Sequence, residues 1–575
     1  MFAEIIIYTK APLGLLTYQI PPELANTIKI GQIVEVSVRG KKTLGMVFKF
    51  RKDKGEILVI KNIVKIVDPN PLPPVYINLI QWIADYYCVS LSESLTSVMP
   101  EPPKKIQKSI NNEIISNKSD QKQNYLIIGS QANRWENYYK IIAKAKSNNC
   151  QTIVCFSKME DANDFLSHLP GNINYGLYLS NLGKSDKYKV YTNSKTTNYD
   201  LICGVRSVIF LPMPNLKTII IDEPSSIAHH SDQKPYLTTS RIAEWLGKNR
   251  NLNVVSGSLS PNSRDWLSYR QNKSKLIKAG GINPNSNLQI IDNSKSRDIL
   301  NPQLIGELGK YLNKHKKIFL FLPKSYYSKV LKCLDCQELV SCKKCGKVMD
   351  SGSNELNCQS CNFQSKSPNQ CPGCGGKNLT ERGFSLSQLN NELSKLFGSQ
   401  AMQIKIGGML ELEYIKENSF DLIGIINLDF MFKILAFNQE EKTYALLTRI
   451  IQAGKKVILQ TIEPQSPILQ NFISHNTSNL YDSILSQRKK YNFPPFGNIA
   501  EITIGEIDKE KSLSEIEALI SKIGNDFECY GPYEKPNFRK NNFFYYQLTV
   551  KYSNIEQKKK LISNLNKKYF FEIEE

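Results

Sequence analysis

The sequence predicts a multidomain α/β protein in which two tandem parallel-sheet lobes follow a β-rich N-terminal domain. The chain has 575 residues, which is enough for several domains of ordinary size. From residue 123 onward, short apolar runs typical of buried strands alternate with helical segments. Eight of the 13 cysteines crowd into one stretch that interrupts the second α/β set. These three observations define the predicted architecture.

The N-terminal domain is predicted over residues 1–104. Strand-like runs separated by Pro and Gly turns come first, and they are Glu4–Tyr8, Gly31–Val38, Leu44–Phe50 and Ile57–Val67. Val75–Tyr87 then carries apolar residues at helical spacing. In this helix, Trp82, Tyr86 and Tyr87 are interpreted as core residues. Residues 105–122 are polar and basic and are predicted to be a linker.

The rest of the chain divides into two parallel-sheet lobes, an insert and a C-terminal α+β domain. The predicted bounds are 123–290 for lobe one, 291–332 with 376–474 for lobe two, 333–375 for the cysteine-rich insert and 475–575 for the C-terminal domain. Together these units are typical of the two-lobed core of an NTPase.

The charge balance indicates an acidic partner. Lys and Arg total 74 against 53 Asp and Glu, which gives a net charge of +21 and a pI near 9.2. Such a protein attracts polyanions, of which nucleic acid is the usual one. Compositional drift toward Lys, Asn and Ile would raise the pI in the same way, so charge alone leaves both explanations open.

Neither export nor membrane insertion is predicted. The N-terminal MFAEIIIYTK lacks the basic segment and apolar run of a signal peptide, and no run approaches 18 apolar residues. The expected location is the reducing cytoplasm of a bacterium, where clustered cysteines bind metal in preference to forming disulfides.

Four C-x-x-C pairs predict two structural zinc ions. The pairs are Cys333 with Cys336, Cys342 with Cys345, Cys358 with Cys361, and Cys371 with Cys374. Each pair offers two thiolates on one turn, and two pairs complete a closed tetrahedral shell. An iron–sulfur cluster is the alternative, and spacing does not decide which pairs combine.

Several motifs in order resemble the primosomal protein N′ (PriA) family of replication-restart helicases. They include LTYQIPPEL and IGQIVEVSVRG near the N-terminus, GVRSVIFLPMPNLKTIIIDE at Gly204–Glu223, VSGSLSP at Val255–Pro261, the eight-cysteine insert, and LSQRKKYNFPPFGNIAEITI before the end. The resemblance implies an N-terminal 3′-DNA-binding domain and a superfamily 2 helicase core made of two RecA-like lobes.

The resemblance also implies site residues. One zinc would be held by Cys333, Cys336, Cys371 and Cys374, and the other by Cys342, Cys345, Cys358 and Cys361. Leu16, Thr17 and Tyr18 stand where the family holds a DNA 3′ end. Arg39, Gly40, Lys41 and Lys42 form a basic turn that is expected either to contact phosphate or to remain a solvated hairpin.

The ATP-binding motifs of the family are degenerate here. The Walker A loop reads GSQANRWENYY from Gly129, so Trp135 and Glu136 replace the phosphate-binding Lys and Thr. Asp222 and Glu223 remain from the DEEH box and are expected to be inactive as catalytic residues, because no phosphate cradle accompanies them. ATP and Mg²⁺ are therefore doubtful ligands.

Further family elements are also changed. The arginine-finger element corresponds to Arg449–Lys456, the NRRGY element to Pro323–Tyr327, and the GTE element to the region around Ser385–Ser387. Residues 105–122 are too few for the winged-helix domain that the family usually has at this point. His229 and His230 are predicted to be surface residues of a loop.

Three functions follow from these features. The leading hypothesis is a DNA-binding replication-restart factor that recognises forked or 3′-end DNA without hydrolysing ATP. Possible protein partners are replication-restart, single-strand-binding and helicase-loading proteins. The first alternative is an active ATP-dependent 3′→5′ DNA helicase, and the second is a zinc-braced protein adaptor without DNA binding.

Overall fold

The computed structural model describes most of the chain. The described residues are 1–53, 60–102, 122–179, 181–280, 288–294, 298–322, 329–336, 338–343, 349–351, 355–358, 363–382, 386–413, 415, 419–426, 428–429, 431, 437–474, 476–534, 543–565 and 569–574. They form two compact units, Met1–Gly281 and Ile282–Glu575.

The N-terminal domain is a five-stranded antiparallel sheet followed by two helices. Its strands are β1 (Phe2–Ile7), β2 (Leu15–Gln19), β3 (Ile33–Val38), β4 (Lys41–Arg51) and β5 (Lys65–Asp68), and its helices are α1 (Pro74–Tyr87) and α2 (Leu91–Val98). The sheet order is β2-β1-β4-β3-β5. The sequence pattern found four of these strands and α1, but it did not resolve β2 or α2.

The first parallel lobe completes the first unit. Its strands are β6 (Asn124–Gly129), β7 (Gln151–Cys155), β8 (Tyr175–Tyr178), β9 (Leu201–Gly204), β10 (Leu216–Asp222), β11 (Asn253–Ser258) and β12 (Ser274–Gly280). Its helices are α3 (Gln131–Ser147), α4 (Met159–Ser167), α5 (Lys184–Ser194), α6 (Thr239–Asn249) and α7 (Ser263–Arg270). The sheet is parallel in the order β12-β6-β11-β10-β7-β9-β8. This confirms the predicted α/β lobe.

Buried polar contacts join the N-terminal domain to this lobe. The Tyr188 hydroxyl donates to the Asp68 carboxylate at 2.5 Å, and Asp68 is fully buried. The Tyr76 hydroxyl donates to the Leu211 carbonyl at 2.9 Å. In α1, Tyr87 is buried, whereas Trp82 is half-buried and lies 5.8 Å from Trp245 of α6 between ring centroids. Helix α1 is therefore part of the interface between the two domains.

The second unit contains the other parallel lobe. Its strands are β13 (Leu288–Asp292), β14 (Ile318–Phe321), β20 (Ile404–Gly407), β21 (Phe420–Ile425) and β22 (Gly454–Thr461). Its helices are α8 (Pro302–Leu312), α9 (Leu386–Phe397), α10 (Met409–Glu413), α11 (Gln439–Ala453), α12 (Pro467–Ile473) and α13 (Thr477–Lys490). The predicted lobe boundary at residues 290 and 291 was placed too late, because β13 pairs with β22.

The cysteine-rich insert has its own antiparallel sheet. Its strands are β15 (Lys329–Cys333), β16 (Asp350–Ser351), β17 (Glu355–Asn357), β18 (Gln364–Lys366) and β19 (Leu379–Arg382). Because β15 pairs with β19, the insert extends a few residues beyond the predicted 333–375 on both sides.

The C-terminal domain is the predicted α+β unit. Its strands are β23 (Asn498–Glu506), β24 (Glu528–Glu534), β25 (Phe544–Tyr552) and β26 (Tyr569–Glu574), and its helices are α14 (Lys509–Ile523) and α15 (Ile555–Ser563). The sheet is antiparallel in the order β24-β25-β23-β26. Within the described ranges, no helix combines the length and apolar character needed to cross a bilayer.

Candidate functional site

Helix α3 begins where the family has its phosphate loop. Strand β6 ends at Gly129 and α3 starts at Gln131, so Ser130 alone separates them. A Walker A loop surrounds phosphate with backbone amides that a longer glycine-rich turn leaves free. Here the corresponding residues form the first turns of a helix, and their amides are directed along the helix axis. This junction offers no cradle of the Walker A type.

The two residues that replace the phosphate ligands lie in different environments. Trp135 is 7% exposed, and its ring packs against Phe156 and Phe165 at 5.9 and 5.4 Å between centroids. Glu136 is on the solvent side of α3, and its carboxylate accepts from Lys140 at 2.8 Å. Trp135 therefore contributes to the core of the lobe, while Glu136 forms an ordinary i,i+4 surface pair.

Arg134 fills the site of the retained acids. Its side chain is 2% exposed, and its Nε donates to Asp222 Oδ1 at 3.0 Å. Nη2 lies 3.3 Å from Asp222 Oδ2 and 2.9 Å from Glu223 Oε1. Nη1 donates to the Gly129 carbonyl at 2.7 Å. One guanidinium thus contacts both carboxylates and the end of β6.

Tyr138 completes this network one turn further along α3. Its hydroxyl donates to Asp222 Oδ1 at 2.7 Å. Gly257 of β11 makes room for it, because a Cβ at that position would lie 1.6 Å from the Tyr138 hydroxyl oxygen. Arg134 and Tyr138 are four residues apart and share one face of the helix. The interior side of α3 is therefore built around Asp222.

The electrostatic balance favours a charged Arg134. Burial disfavours its charge, but Asp222 and Glu223 outweigh that effect and raise the pKa of Arg134 above its ordinary value. Burial, followed by the Asp222 charge, raises the pKa of the Tyr138 hydroxyl well above its usual range. Removing one partner from a buried ion pair leaves the other charge buried and uncompensated, which strongly destabilises the fold. Asp222 and Glu223 are therefore engaged as internal partners of Arg134.

The sequence interpretation missed this role of Arg134. The sequence motifs alone give Arg134 neither a ligand nor an ion-pair partner. A usable signal existed, because Arg134 and Tyr138 are polar residues on the face of α3 that also carries Ile142. A basic residue on a buried helical face requires an acidic partner.

The prediction for His229 was wrong. Its ring is fully buried, with Nε2 2.9 Å from the Asp222 carbonyl oxygen and Nδ1 3.2 Å from Thr239 Oγ1. Burial lowers the pKa of His229, since the charged form loses its hydration. The histidine therefore links the end of β10 to the start of α6. His230 is exposed, as predicted.

Four cysteines of the insert form a cluster with the dimensions of a zinc site. The Sγ atoms of Cys333, Cys336, Cys371 and Cys374 all lie within 4.8 Å of one another. Cys333 to Cys374 measures 3.6 Å, and Cys336 to Cys371 measures 3.8 Å. Zn–S bonds of about 2.3 Å in a tetrahedron imply S–S edges of about 3.8 Å. The donor set fits zinc, and it unites the first and last C-x-x-C pairs.

The other two pairs are described in part. Cys342 and Cys358 are buried in one apolar cluster with Leu331, Val340 and Leu356. Cys345 and Cys361 lie outside the described residues. A second zinc held by these four cysteines stays a prediction, supported by the common location of Cys342 and Cys358.

The predicted DNA-binding residues lie on neighbouring parts of the N-terminal sheet. Tyr18 is 4% exposed, and its hydroxyl donates to the Ser37 carbonyl at 3.1 Å. Its ring is thus core, while Leu16 and Thr17 are half-buried. Ser37 pairs across the strands with Lys42, so the Leu16–Tyr18 strand approaches the base of the basic hairpin.

The hairpin tip is exposed and has regular geometry. Arg39 and Gly40 have φ of 48° and 81° between the paired residues Val38 and Lys41, which is typical of a two-residue type I′ turn. Arg39, Gly40, Lys41 and Lys42 are all exposed. Lys42 lies 3.4 Å from Glu35 with its side chain 73% exposed, so its charge remains accessible to a phosphate.

The element expected to replace the arginine finger lies at the end of α11 and the start of β22. Its lysines have partners inside their own lobe: Lys455 contacts Asp421 at 2.9 Å, and Lys456 contacts Glu307 at 2.5 Å. Residues 323–327, at the expected NRRGY position, lie outside the described residues. Ser385 lies outside them as well.

Known proteins resemble this chain in its N-terminal domain and over most of its length. Residues 4–100 match the PriA family model described as 3′DNA-binding domain (3′BD). Replication restart protein PriA of Borreliella burgdorferi is 24% identical over 425 residues, which cover 66% of this chain and 64% of that protein. The Bacillus subtilis protein of the same name is 22% identical, with 80% of this chain and 63% of that protein covered.

The chain spans less than two thirds of the length of these two relatives. A third relative matches over more of its length: replication restart protein PriA of Rickettsia conorii is 23% identical, and 88% of each chain is covered. Residues 4–100 therefore match the 3′-DNA-binding domain of the primosomal protein N′ (PriA) family, and the chain is similar to replication restart proteins PriA over most of its length.

Proposed function

We propose that this chain is a replication-restart factor that binds forked or 3′-end DNA and does not hydrolyse ATP. The proposal that ATP is not hydrolysed rests on one observation: the buried guanidinium of Arg134 contacts the carboxylates of both Asp222 and Glu223. In helicases, such acids hold Mg²⁺ and orient water. A guanidinium in contact with both carboxylates competes directly with the metal ion.

Activating the site would require several changes at once. Arg134 would have to leave Asp222, which costs on the order of 3–5 kcal/mol for a buried pair. A longer loop would also have to form between β6 and α3, because the free amides of the first helical turn do not by themselves surround a phosphate. Neither change supplies the missing Lys and Thr ligands. The free energy of these rearrangements would offset the free energy gained by binding a nucleotide.

The DNA-binding part is supported by separate features. The chain carries a net charge of +21, its residues 4–100 match a DNA-binding domain model, and relatives are named for replication restart. The exposed hairpin Arg39–Lys42 offers cationic side chains for phosphate. Two structural zinc ions would brace the insert, and replication proteins are proposed partners of the assembled complex.

The first experiment measures ATP hydrolysis by the zinc-loaded chain, with and without forked DNA. The control carries Asp222→Ala and Glu223→Ala together. We expect no hydrolysis above the control under either condition, and no nucleotide binding by calorimetry. DNA-dependent hydrolysis that disappears in the control would refute the proposal and identify an active helicase.

The second experiment compares forked, 3′-tailed and blunt duplex DNA in a binding assay at several salt concentrations. We expect the blunt duplex to bind more weakly than the other two, and all affinities to fall with salt as phosphate contacts are screened. Equal affinity for fork and blunt duplex would refute structure-specific recognition. Weak binding that does not respond to salt would indicate the protein adaptor instead.

A further inference from the structure

A groove of about 770 Å³ opens on the N-terminal domain. One wall is the start of α1 and the prolines before it, including Pro73, Pro74 and Ile77. Lys29 and Ile30, from the loop before β3, also line the groove. Its volume is in the range of ordinary ligand pockets, which is about 300–1,000 Å³.

A β-bulge brings an aromatic and a basic side chain to this groove together. In the pairing of β1 with β4, Ile5 faces Val47 and Glu4 faces Lys49, which leaves Phe48 as the extra residue. A bulge breaks the alternation of side chains across a strand and re-aims one of them. Phe48 and Lys49, although adjacent in sequence, therefore both line the groove.

The base of the groove is held by the backbone around Gly31. Gly31 has φ of +88°, and a Cβ there would lie 2.5 Å from the Leu72 carbonyl oxygen. Its amide donates to the Val47 carbonyl at 2.8 Å, and its carbonyl accepts from the Leu72 amide at 2.9 Å. This position requires glycine, and the close approach fixes the backbone at Gly31 next to that at Leu72.

The charge of the groove selects an anion. Of the described residues that line it, two are lysines and none is acidic. Lys49 is 55% exposed and shares Glu4 with Arg51, which also pairs with Asp53. Lys29 is exposed as well. A ligand would meet apolar side chains together with two lysines.

We infer that this groove holds an unpaired nucleotide of a DNA strand, with the base against Phe48 and Ile30 and the flanking phosphates at Lys29 and Lys49. The inference rests on the proposed function, because it assigns a second contact to the same DNA-binding domain. A base offers a flat apolar face for an aromatic ring, and the backbone on either side of it is anionic.

A peptide is the other occupant to be considered. Residues Lys41–Met46 of β4 pair with β3, and residues Gly45–Arg51 pair with β1, with Phe48 as the bulge. The groove offers an aromatic ring and two lysine side chains, which suit a nucleic-acid strand of any sequence.

The test uses the full chain with Lys29→Gln and Lys49→Gln combined, and a fluorescein-labelled oligothymidine. The matched control combines Lys10→Gln and Lys65→Gln, which remove the same charge from exposed positions of the same domain. For a single strand, each lost phosphate contact lowers the slope of log affinity against log salt by about 0.7. We expect a decrease of about 1.4 in the groove variant and none in the control.

The base contact is tested with Phe48→Leu, which keeps an apolar side chain in place. We expect roughly tenfold weaker binding, in line with the loss of one stacked base, and reduced quenching of a 2-aminopurine placed in the strand. A 3′-phosphorylated oligothymidine should show the same losses, because the groove requires no free 3′ end.

Each other outcome overturns the inference in a different way. If the groove variant keeps the salt slope of the parent while both bind DNA, the groove does not contact the strand. If a labelled acidic peptide binds and only the groove variant loses it, the groove is a peptide site. If the parent itself binds no DNA, the proposed function fails first, and this result is distinguishable from the other two.

Discussion

Replacing Arg134 by Met tests whether the guanidinium stabilises the first lobe through the two acids. Methionine keeps much of the length and apolar volume of the side chain but removes the charge. Asp222, with its side chain 2% exposed, would then be left buried without its cation. The expected loss in the free energy of unfolding is about 3–5 kcal/mol, compared with roughly 5–15 kcal/mol for a whole domain.

The assay is urea unfolding followed by tryptophan fluorescence. All four tryptophans, at positions 82, 135, 245 and 266, belong to the first unit, so the signal reports on this unit alone. A linear fit gives the midpoint and the free energy in water. Trp135 lies beside Arg134 in sequence and in the core of the lobe, which makes it a local reporter as well.

A double-mutant cycle separates the pair from other effects. Asp222→Asn alone leaves Arg134 with Glu223 as its remaining acid, and the combination with Arg134→Met removes both members of the main pair. We expect the double variant to lose less free energy of unfolding than the two single variants lose together. The difference should be at least about 1.5 kcal/mol. A loss below about 1 kcal/mol for Arg134→Met, or strict additivity, would refute the role assigned to Arg134.

Two further predictions concern pH and metal. The pKa of Asp265 is raised from 3.8 to about 6 because it is buried and close to Glu244. A raised folded-state pKa contributes stability that is complete below about pH 4 and lost as the pH rises through 6. Between pH 4 and pH 7, the free energy of unfolding of the parent, measured in urea, should therefore fall by on the order of 2 kcal/mol more than that of Asp265→Asn. The same pH dependence of stability in both proteins would contradict this prediction. For the metal, elemental analysis should find two zinc ions in the parent and one each in Cys333→Ser and Cys342→Ser, while loss of both from one substitution would contradict two separate sites.

Sequence alone determined what is encoded in local patterns. Short continuous apolar runs identify strands that are buried on both faces, and period-3.6 runs identify helices because side chains of one face recur at that interval, so the tandem parallel lobes and α1 were predictable. Cysteine spacing identified metal chemistry, since each C-x-x-C pair can supply two thiolates from one turn. The loss of the phosphate-binding Lys and Thr was equally visible, because it is a change of residue type at Trp135 and Glu136.

Only the tertiary structure decided which distant groups meet. Arg134 and Asp222 are 88 residues apart in the sequence. They form an ion pair because the fold brings α3 next to the end of β10, where Asp222 would otherwise be read as a remnant of the DEEH box. The same holds for Cys333 and Cys374, whose pairing the spacing left open, and for Phe48, which a bulge against β1 turns toward Lys49. Pairwise electrostatics and packing depend on distance in space, and a single sequence contains no direct record of that distance.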